Sequence, residues 1–390
     1  MKTYKIIILL TYISIASASA VIINPALPNI ATELGLSSGT VEWLVSIFLL
    51  GYVLGQIIYG PIAKKYGDVI TLRAGMTINV IGILVCILAS SMTMLLIGRF
   101  ITAIGASAGL VCTFIILNNS VAAEKAKLAL SFAISLTLAT LIGGIISAYT
   151  HWYYCFYVLL IHAVIMLGAS FLYENKKDFE FNLKVSAIID GYKNAFSSFK
   201  LVVFALTLGV MTVFSYCYSA AGPFIAHSMF NLNSTQYSLW TSMTIIGIVL
   251  GSMLVAKIIN KHDTHKILIV ALICFVVLVV VMAWLKIANY MTPLIFFVLI
   301  TLMYFVCNFI YPTASYLAST AIECKSNASA AMNFINMLTA VVAVSIMGYI
   351  PFEYIWNFLL MCTILPIICF VLIIYNKFLK IIIFTNILLN

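Results

Sequence analysis

The sequence predicts an all-α membrane protein with twelve transmembrane helices, arranged as two pseudo-symmetric bundles of six. Three observations support this: an apolar composition, the number of long apolar runs, and an internal repeat. The 390 residues are 64% hydrophobic and only 8% charged, whereas about a quarter of the residues in a soluble domain are charged. A helix needs about 20 apolar residues to cross a bilayer, so twelve spans and short loops account for the whole chain.

The apolar runs place the predicted spans in two groups of six. They lie near 5–23, 41–62, 70–89, 94–117, 126–149 and 152–173, and then near 201–222, 236–257, 266–285, 292–318, 328–350 and 352–375. The predicted domains are an N-terminal bundle over 1–173, a polar cytoplasmic linker over 174–199, and a C-terminal bundle with a short tail over 200–390. The small residues at 16–20 are similar to a signal-peptide cleavage site, but the apolar run continues to Ile23, so we expect an uncleaved first helix.

The basic residues indicate the orientation of the chain. With the N-terminus in the cytoplasm, eighteen of the twenty lysines and arginines fall in cytoplasmic segments, as the positive-inside rule requires. Only Lys286 falls outside, and Arg99 falls within a span. The predicted location is therefore a multi-pass protein of the bacterial inner membrane with both termini in the cytoplasm. This distribution also explains the net charge of +9 without a nucleic-acid partner.

The two halves repeat at an offset of 196 residues. Gly51 and Gly55 then correspond to Gly247 and Gly251, and in both halves a proline, Pro28 or Pro223, marks a predicted helix end. Parallel repeats of this kind are one known transporter design. Glycines four residues apart allow helices to approach closely, and we expect these two pairs to pack across the interface between the halves.

The sequence lacks the motifs of several functional classes. The sequence contains no Walker motif, no HExxH and no paired carboxylates, so neither ATP-driven transport nor an enzyme is expected. None of the nine cysteines forms a CxxC pair, which favours small core residues over a disulfide framework or a metal site. No cofactor is predicted.

Four motifs resemble the major facilitator superfamily. They are the 2–3 loop Gly60-Pro61-Ile62-Ala63-Lys64-Lys65-Tyr66-Gly67, the span-4 segment 96–105 around Arg99, Gly143-Gly144 followed by Trp152 and Phe156, and Pro25-Ala26-Leu27-Pro28-Asn29-Ile30-Ala31 after span 1. The last of these is similar to the Bcr/CflA-type branch of drug–proton antiporters. The resemblance implies the two-bundle fold, alternating access, and a gating loop that includes Gly60, Lys64, Lys65, Gly67 and Asp68.

The chain also departs from the family pattern. Lys64 stands where the loop signature has aspartate, and Asp68-Val69 stands where it has a basic pair. Asp68 could instead N-cap the third span. The helix-1 carboxylate of the antiporter branch is absent, with Val21 and Ile22 in that region. These departures put gating and proton coupling in question.

Charged and titratable residues inside the spans are few. All eleven acidic residues are expected in loops or at helix ends, so no span should hold a buried carboxylate. Arg99 is the one basic residue well inside a span. The resemblance implies a role for it in substrate binding or proton coupling, and the alternative is a structural arginine bonded to helix-end carbonyls. His162 is a coupling candidate or a packing residue.

Uncharged polar residues in the predicted cavity helices complete the candidate site. They are Gln56, Tyr216, Tyr218, Asn308, Tyr311, Asn333 and Asn336, with Ser14 and Ser17 in the first span. By resemblance to the family they could face the cavity. Each could instead hold two helices together, a role worth about 0.6–2 kcal/mol.

The sequence thus favours a secondary active transporter that moves a small organic molecule (a drug, metabolite or siderophore), with proton-coupled export as the expected mechanism. Its partners are this substrate, protons and the lipid bilayer. An uncoupled facilitator or importer of a neutral or anionic solute is the first alternative. A non-transporting membrane sensor or assembly partner is the second. The oligomeric state stays open, and a monomer is compatible with the fold.

Overall fold

A computed structural model describes residues 3–117, 122–175, 193–259, 261–322 and 325–389, and these residues are almost all helical. The long helices of the first half are α1 (Thr3–Val21), α3 (Ser38–Tyr66), α4 (Asp68–Ile87), α5 (Met92–Leu117), α6 (Ala122–Tyr149) and α7 (Tyr154–Ala169), with a short α2 (Leu27–Leu34) after α1. The helices of the second half are α8 (Phe199–Phe230), the short α9 (Ser234–Thr241), α10 (Thr244–Ile258), α11 (Thr264–Ile287), α12 (Pro293–Ser319), α13 (Lys325–Met347) and α14 (Tyr354–Leu389). Within the described ranges, ten segments are long and apolar enough to span a membrane, and two shorter apolar helices cover Leu136–Tyr149 and Ala331–Met347. The all-helical twelve-span fold class is confirmed.

Some boundaries differ from those predicted. The eighth span is not one helix, because Ser242 and Met243 form a turn between α9 and α10. Pro223 does not end the seventh span, since α8 continues through it to Phe230. The short C-terminal tail continues α14 as helix to Leu389.

The described cysteines are free thiols. All are buried except Cys274, as expected for small apolar residues in helices; Cys324 lies outside the described residues.

Contacts divide the chain into two compact units. Unit one comprises Met1–Lys184, Tyr218–Ile245 and Val344–Pro351, and unit two comprises Val185–Cys217, Ile246–Ala343 and Phe352–Asn390. Unit one therefore contains the first six spans together with one end of α8, all of α9, and the end of α13. The predicted domain limits of 1–173 and 200–390 stay a prediction.

Glycines set the helix packing inside unit one. A Cβ on Gly51 would lie 2.6 Å from the carbonyl oxygen of Phe100, and one on Gly55 would lie 2.9 Å from that of Ile104. These distances leave no room for a side chain, so α3 and α5 approach backbone to backbone.

The corresponding glycines of unit two pack in the same way. A Cβ on Gly247 would lie 2.2 Å from the carbonyl oxygen of Thr301, and one on Gly251 would lie 2.7 Å from that of Phe305. Both glycine pairs thus contact the second helix after their own. The prediction that they pack across the interface between the halves is wrong, because the close approach is needed between helices of the same unit.

Candidate functional site

Arg99 lies in the interior of unit one, where its side chain is 0% exposed. Its Nη1 donates to the carbonyl oxygen of Ser19, its Nη2 to that of Ala20 at 3.4 Å, and its Nε to that of Leu44 at 3.2 Å. The guanidinium carbon lies 4.3 Å from the centre of the Phe48 ring. The guanidinium thus joins α1, α3 and α5.

The end of α1 explains why this arginine is needed. Helix α1 ends at Val21 and a 3-10 turn begins at Asn24. The last four carbonyls of a helix have no partner within it, and Ser19 and Ala20 are among them. A cation near a helix C-terminus is also favoured by the helix dipole. The geometry has the form of the structural alternative, and a role for Arg99 in substrate binding or coupling stays a prediction.

Glu42 is a buried carboxylate that the sequence did not predict. It lies in the second turn of α3 and is 3% exposed. Its Oε2 is buried and has no hydrogen-bond partner. The expectation that no span holds a buried carboxylate is therefore wrong. Glu42 is near a helix end by position, but a neighbouring turn at Gly348 covers it.

This end of unit one, where α1 ends and α3 begins, is here called the distal end. Three contacts close it. The side chain of Asn24 donates to Ser219 of α8, and Thr235 of α9 donates to the carbonyl oxygen of Gly144 at 3.1 Å. A Cβ on Gly39 would lie 2.0 Å from the carbonyl oxygen of Gly348, so the start of α3 and the turn after α13 touch through their backbones.

A cavity of about 240 Å³ opens beside these contacts. Its polar lining comprises Asn29, Ser147, His227, Asn233, Ser234 and Tyr237. Its position at the distal end differs from the midplane position that transporters of this design use for substrate.

Several predicted site residues are occupied by bonds within the protein. In unit one, Tyr218 pairs with Thr241 at 2.8 Å, and His162 pairs with Ser14 at 3.3 Å. In unit two, the side chain of Asn308 donates to the carbonyl oxygen of Tyr304 at 2.8 Å and accepts from Ser252 at 2.9 Å. Asn336 accepts from Thr212 at 2.5 Å. These groups hold helices together.

Other predicted site residues are more accessible. Gln56 of α3, Tyr216 of α8 and Asn333 of α13 are half-buried. Tyr311 of α12 is 36% exposed and is close enough to Tyr216, within unit two, to interact with it electrostatically. Gln56 belongs to unit one, so these residues form no single described cluster.

The predicted gating loop is tied down by a residue outside it. The side chain of Asn175 accepts from the backbone N–H groups of Val69 and Ile70, both at 3.1 Å, and donates to the carbonyl oxygen of Tyr66 at 3.0 Å. Asn175 thereby bridges the end of α3 and the start of α4. The prediction that Asp68 is the N-cap is wrong, because α4 begins at Asp68 itself and Gly67 occupies the cap position.

The prediction that this segment is a loop is wrong for residues 60–66, because α3 continues as helix to Tyr66; the predicted loop residues have different surroundings. Gly67 has a φ of 98°, which favours glycine. Lys65 is exposed and its Nζ lies 5.1 Å from the Tyr66 ring. A Cβ on Gly60 would meet nothing within 4 Å. The side chain of Lys64 lies outside the described residues.

The family follows from a sequence match. The profile of the Major Facilitator Superfamily matches residues 8–344, which is most of the chain. This chain belongs to the Major Facilitator Superfamily. It is therefore a multi-pass integral membrane protein of a transporter family, and the resemblance inferred from the motifs is confirmed.

Individual relatives of this superfamily member are distant. An uncharacterized transporter of Rickettsia felis is 24% identical over 66% of this chain and 65% of its own length. The uncharacterized transporter YdgK of Bacillus subtilis is 24% identical over 63% and 64%. Multidrug resistance protein D of Escherichia coli is 26% identical over 40% of this chain and 41% of its own. The matches thus span less than two thirds of these relatives.

Solved transporters share the fold over almost the whole chain. The nucleoside transporter NupG aligns with a TM-score of 0.71 at 12% identity, covering 93% of this chain and 98% of its own. A D-xylose–proton symporter aligns with a TM-score of 0.72 at 12% identity, covering 95% and 97%. At this identity the likeness shows the fold alone.

Sequence reasoning missed Glu42, Asn24 and Asn175 as site residues. Glu42 sits at the second position of the predicted span, where a carboxylate is typical of an exposed helix end. The turn at the distant Gly348 covers it. A single signal was available: Glu42 is the one acidic residue inside the limits 41–62 of that span.

Proposed function

We propose that this protein is a secondary active transporter that exports a small organic molecule across the bacterial inner membrane by alternating access, with proton entry as the driving reaction. The observation that carries the proposal is the closure of the distal end. There the start of α3 and the turn after α13 meet through Gly39 and Gly348, and few side-chain bonds reinforce the contact. Such a contact can separate without breaking a packed core, as alternating access requires.

The orientation follows from the basic residues. The last turn of α3 carries Lys64 and Lys65, and basic residues at the ends of spans stay in the cytoplasm. The distal end, where α3 begins, then faces the outside of the cell. Its closed contacts form the outer gate of the proposed cycle.

The relatives support export of an organic compound. Matches include a multidrug resistance protein of Escherichia coli and an azole resistance protein of Saccharomyces cerevisiae, the latter 30% identical over 37% of this chain. The proposed substrate contacts are Tyr216, Tyr311 and Asn333 of unit two, because their side chains are not enclosed. A drug, metabolite or siderophore with an aromatic or amide group would suit them.

A facilitator of an anionic solute would need an accessible cation, and Arg99 is the one basic residue well inside a predicted span. Three backbone carbonyls surround that guanidinium and its side chain is 0% exposed, which removes this support.

The test is flux in inverted membrane vesicles. Ethidium and a panel of fluorescent drug-like compounds serve as probes, with and without a protonophore. The proposal expects uptake that needs the proton gradient and falls on Tyr311→Leu but not on the matched change Tyr316→Leu at a more exposed tyrosine of α12. Uptake that persists with the protonophore would contradict proton coupling, and absence of uptake for the whole panel would contradict drug export.

A further inference from the structure

The closed distal end contains an acidic group with no counter-charge. Glu42 is 3% exposed. No lysine, arginine or histidine nitrogen of the described residues lies within 4.0 Å of its carboxyl, because the two ion pairs found among those residues involve Glu33 and Glu353. An isolated ionised carboxylate is strongly disfavoured when it is removed from water. The closed state therefore suits the neutral acid.

The carboxyl lies directly at the contact that would open. A Cβ on Gly348 would come within 2.9 Å of Glu42 Oε2 and within 2.8 Å of Gly39 Cα. One helical turn from Gly39, Trp43 donates from Nε1 to the hydroxyl of Tyr349 at 2.7 Å. Separation of α3 from the turn after α13 would thus expose Glu42 to water.

A second observation points to a proton or water at this place. The hydroxyl of Ser46, one turn from Glu42 on the same face of α3, is also buried without a hydrogen-bond partner. So are the hydroxyls of Ser19 and Ser147 and the side-chain oxygen of Asn24 near the same end. Several unsatisfied buried polar atoms in one region are typical of sites that hold water.

Other titratable groups near the distal end have partners of their own. Arg99 of α5 is bonded to the carbonyls of Ser19, Ala20 and Leu44. Glu33 of α2 is paired with His151 at 2.9 Å and is partly exposed. Tyr349 is bonded to Trp43, and Cys86 of α4 is a buried free thiol. Glu42 is the acid among them whose carboxyl is covered by the contact at Gly348.

We propose that Glu42 is a protonation-controlled latch of the distal end: its carboxyl takes up a proton from the outer water as that end closes, is neutral while it is closed, and returns the proton to that water when the end opens. Proton binding converts the carboxylate to the acid and removes the charge that opposes closure. Release of the proton restores the charge and favours opening. The proposal deepens the proposed function, because it rests on the outer gate of the export cycle and names the group whose protonation holds that gate closed.

The test follows opening directly and needs no substrate. Trp43 serves as a fluorescent reporter of the distal end, in full-length protein whose other tryptophans are replaced by phenylalanine, reconstituted in liposomes. Acrylamide is the water-soluble quencher, and quenching is measured from acid to alkaline pH. Trp43 is partly exposed in the closed structure, so we expect weaker quenching at low pH, where the acid is neutral and Trp43 is held against Tyr349, and stronger quenching as the pH rises.

Variants separate Glu42 from other groups. Glu42→Gln imitates the neutral acid and should keep the quenching of Trp43 weak at every pH, whereas Glu42→Asp should retain a pH-dependent change. Glu33→Gln is the matched control at the same end and should behave as the wild type. Gly348→Ala places a methyl group against Glu42 and Gly39 and should leave the quenching of Trp43 strong even at low pH.

Each outcome bears on the proposal. Quenching of the wild type that does not change with pH would overturn it, and so would a pH-dependent change that survives in Glu42→Gln. Flux measurements separate it from the proposed function. Protonophore-sensitive flux retained in Glu42→Gln overturns the role of Glu42 alone. A Trp43 response to pH that Glu42→Gln abolishes, in a protein without probe flux, supports the switch and overturns export alone.

Discussion

Arg99 donates a hydrogen bond to the carbonyl oxygen of Ser19 and so binds the end of α1 from the neighbouring helix α5. The guanidinium also donates to the carbonyl oxygens of Ala20 and Leu44. Its positive charge, its planar shape and its several N–H donors therefore all contribute. An ammonium group on a flexible chain cannot reproduce that fork. This relationship makes the arginine part of the framework on which the distal end is built.

Arg99→Ala is therefore expected to destabilise the protein as well as reduce flux. Each buried carbonyl left without a partner costs about 1–3 kcal/mol. Arg99→Lys should restore part of the stability and little of the flux, since it reaches fewer carbonyls. Thermal unfolding of the purified protein in detergent measures the first effect and vesicle uptake the second. A fully stable Arg99→Ala protein that lacks flux would instead favour a direct role in transport.

The sequence predicted the fold well because its main signals are local. Apolar runs, the positive-inside count and the glycine repeat each depend on short segments, and the helices found lie close to the predicted ones. Contacts between distant segments were not predictable in the same way. Glu42 is buried by Gly348, which lies about 300 residues further along the chain, and no local pattern reports such a contact.

The same limit explains the errors at the loop and in the glycine pairs. Asn175 binds Tyr66, Val69 and Ile70 from beyond the sixth span, whereas sequence reasoning considered only the adjacent Asp68 as a cap. For Gly51 and Gly55 the sequence indicated a close helix contact correctly, but it could not show which helix the glycines meet.

Gly55 and Gly60 offer a matched test of glycine packing. A Cβ on Gly55 would lie 2.0 Å from Ser107 Oγ and 2.9 Å from the Ile104 carbonyl oxygen, whereas a Cβ on Gly60 meets nothing within 4 Å. We expect Gly55→Ala to destabilise the protein by about 1–3 kcal/mol through overpacking and Gly60→Ala to be tolerated. Membrane abundance and thermal stability are the measurements. Equal losses in the two variants would contradict this packing.

His162 is expected to contribute to packing and not to coupling. Its Nε2 lies 3.3 Å from Ser14 Oγ, which links α1 and α7. His162→Gln retains a polar group that can serve Ser14, so flux and its dependence on external pH should stay as in the wild type. Uptake into inverted vesicles over a range of pH checks this. A shifted pH profile with normal protein abundance would return His162 to the list of coupling candidates.

Asn175 is expected to control the junction between α3 and α4. Asn175→Ala removes the acceptor for two backbone N–H groups at the start of α4, and loss of a cap of this kind costs about 1 kcal/mol. Asn175→Asp keeps the acceptor and adds a negative charge at a helix N-terminus, which is favourable, but it loses the donor to the Tyr66 carbonyl oxygen. We therefore expect Asn175→Asp to be more stable than Asn175→Ala and less well fixed at Tyr66 than the wild type.

Hydrogen exchange of the amides of Val69 and Ile70, compared among the three proteins, measures the cap directly. Faster exchange of the Ile70 amide in the alanine variant alone is the expected result, because Val69 N–H also donates to Asp68 Oδ1 at 2.8 Å, whereas Asn175 is the side-chain acceptor found for Ile70.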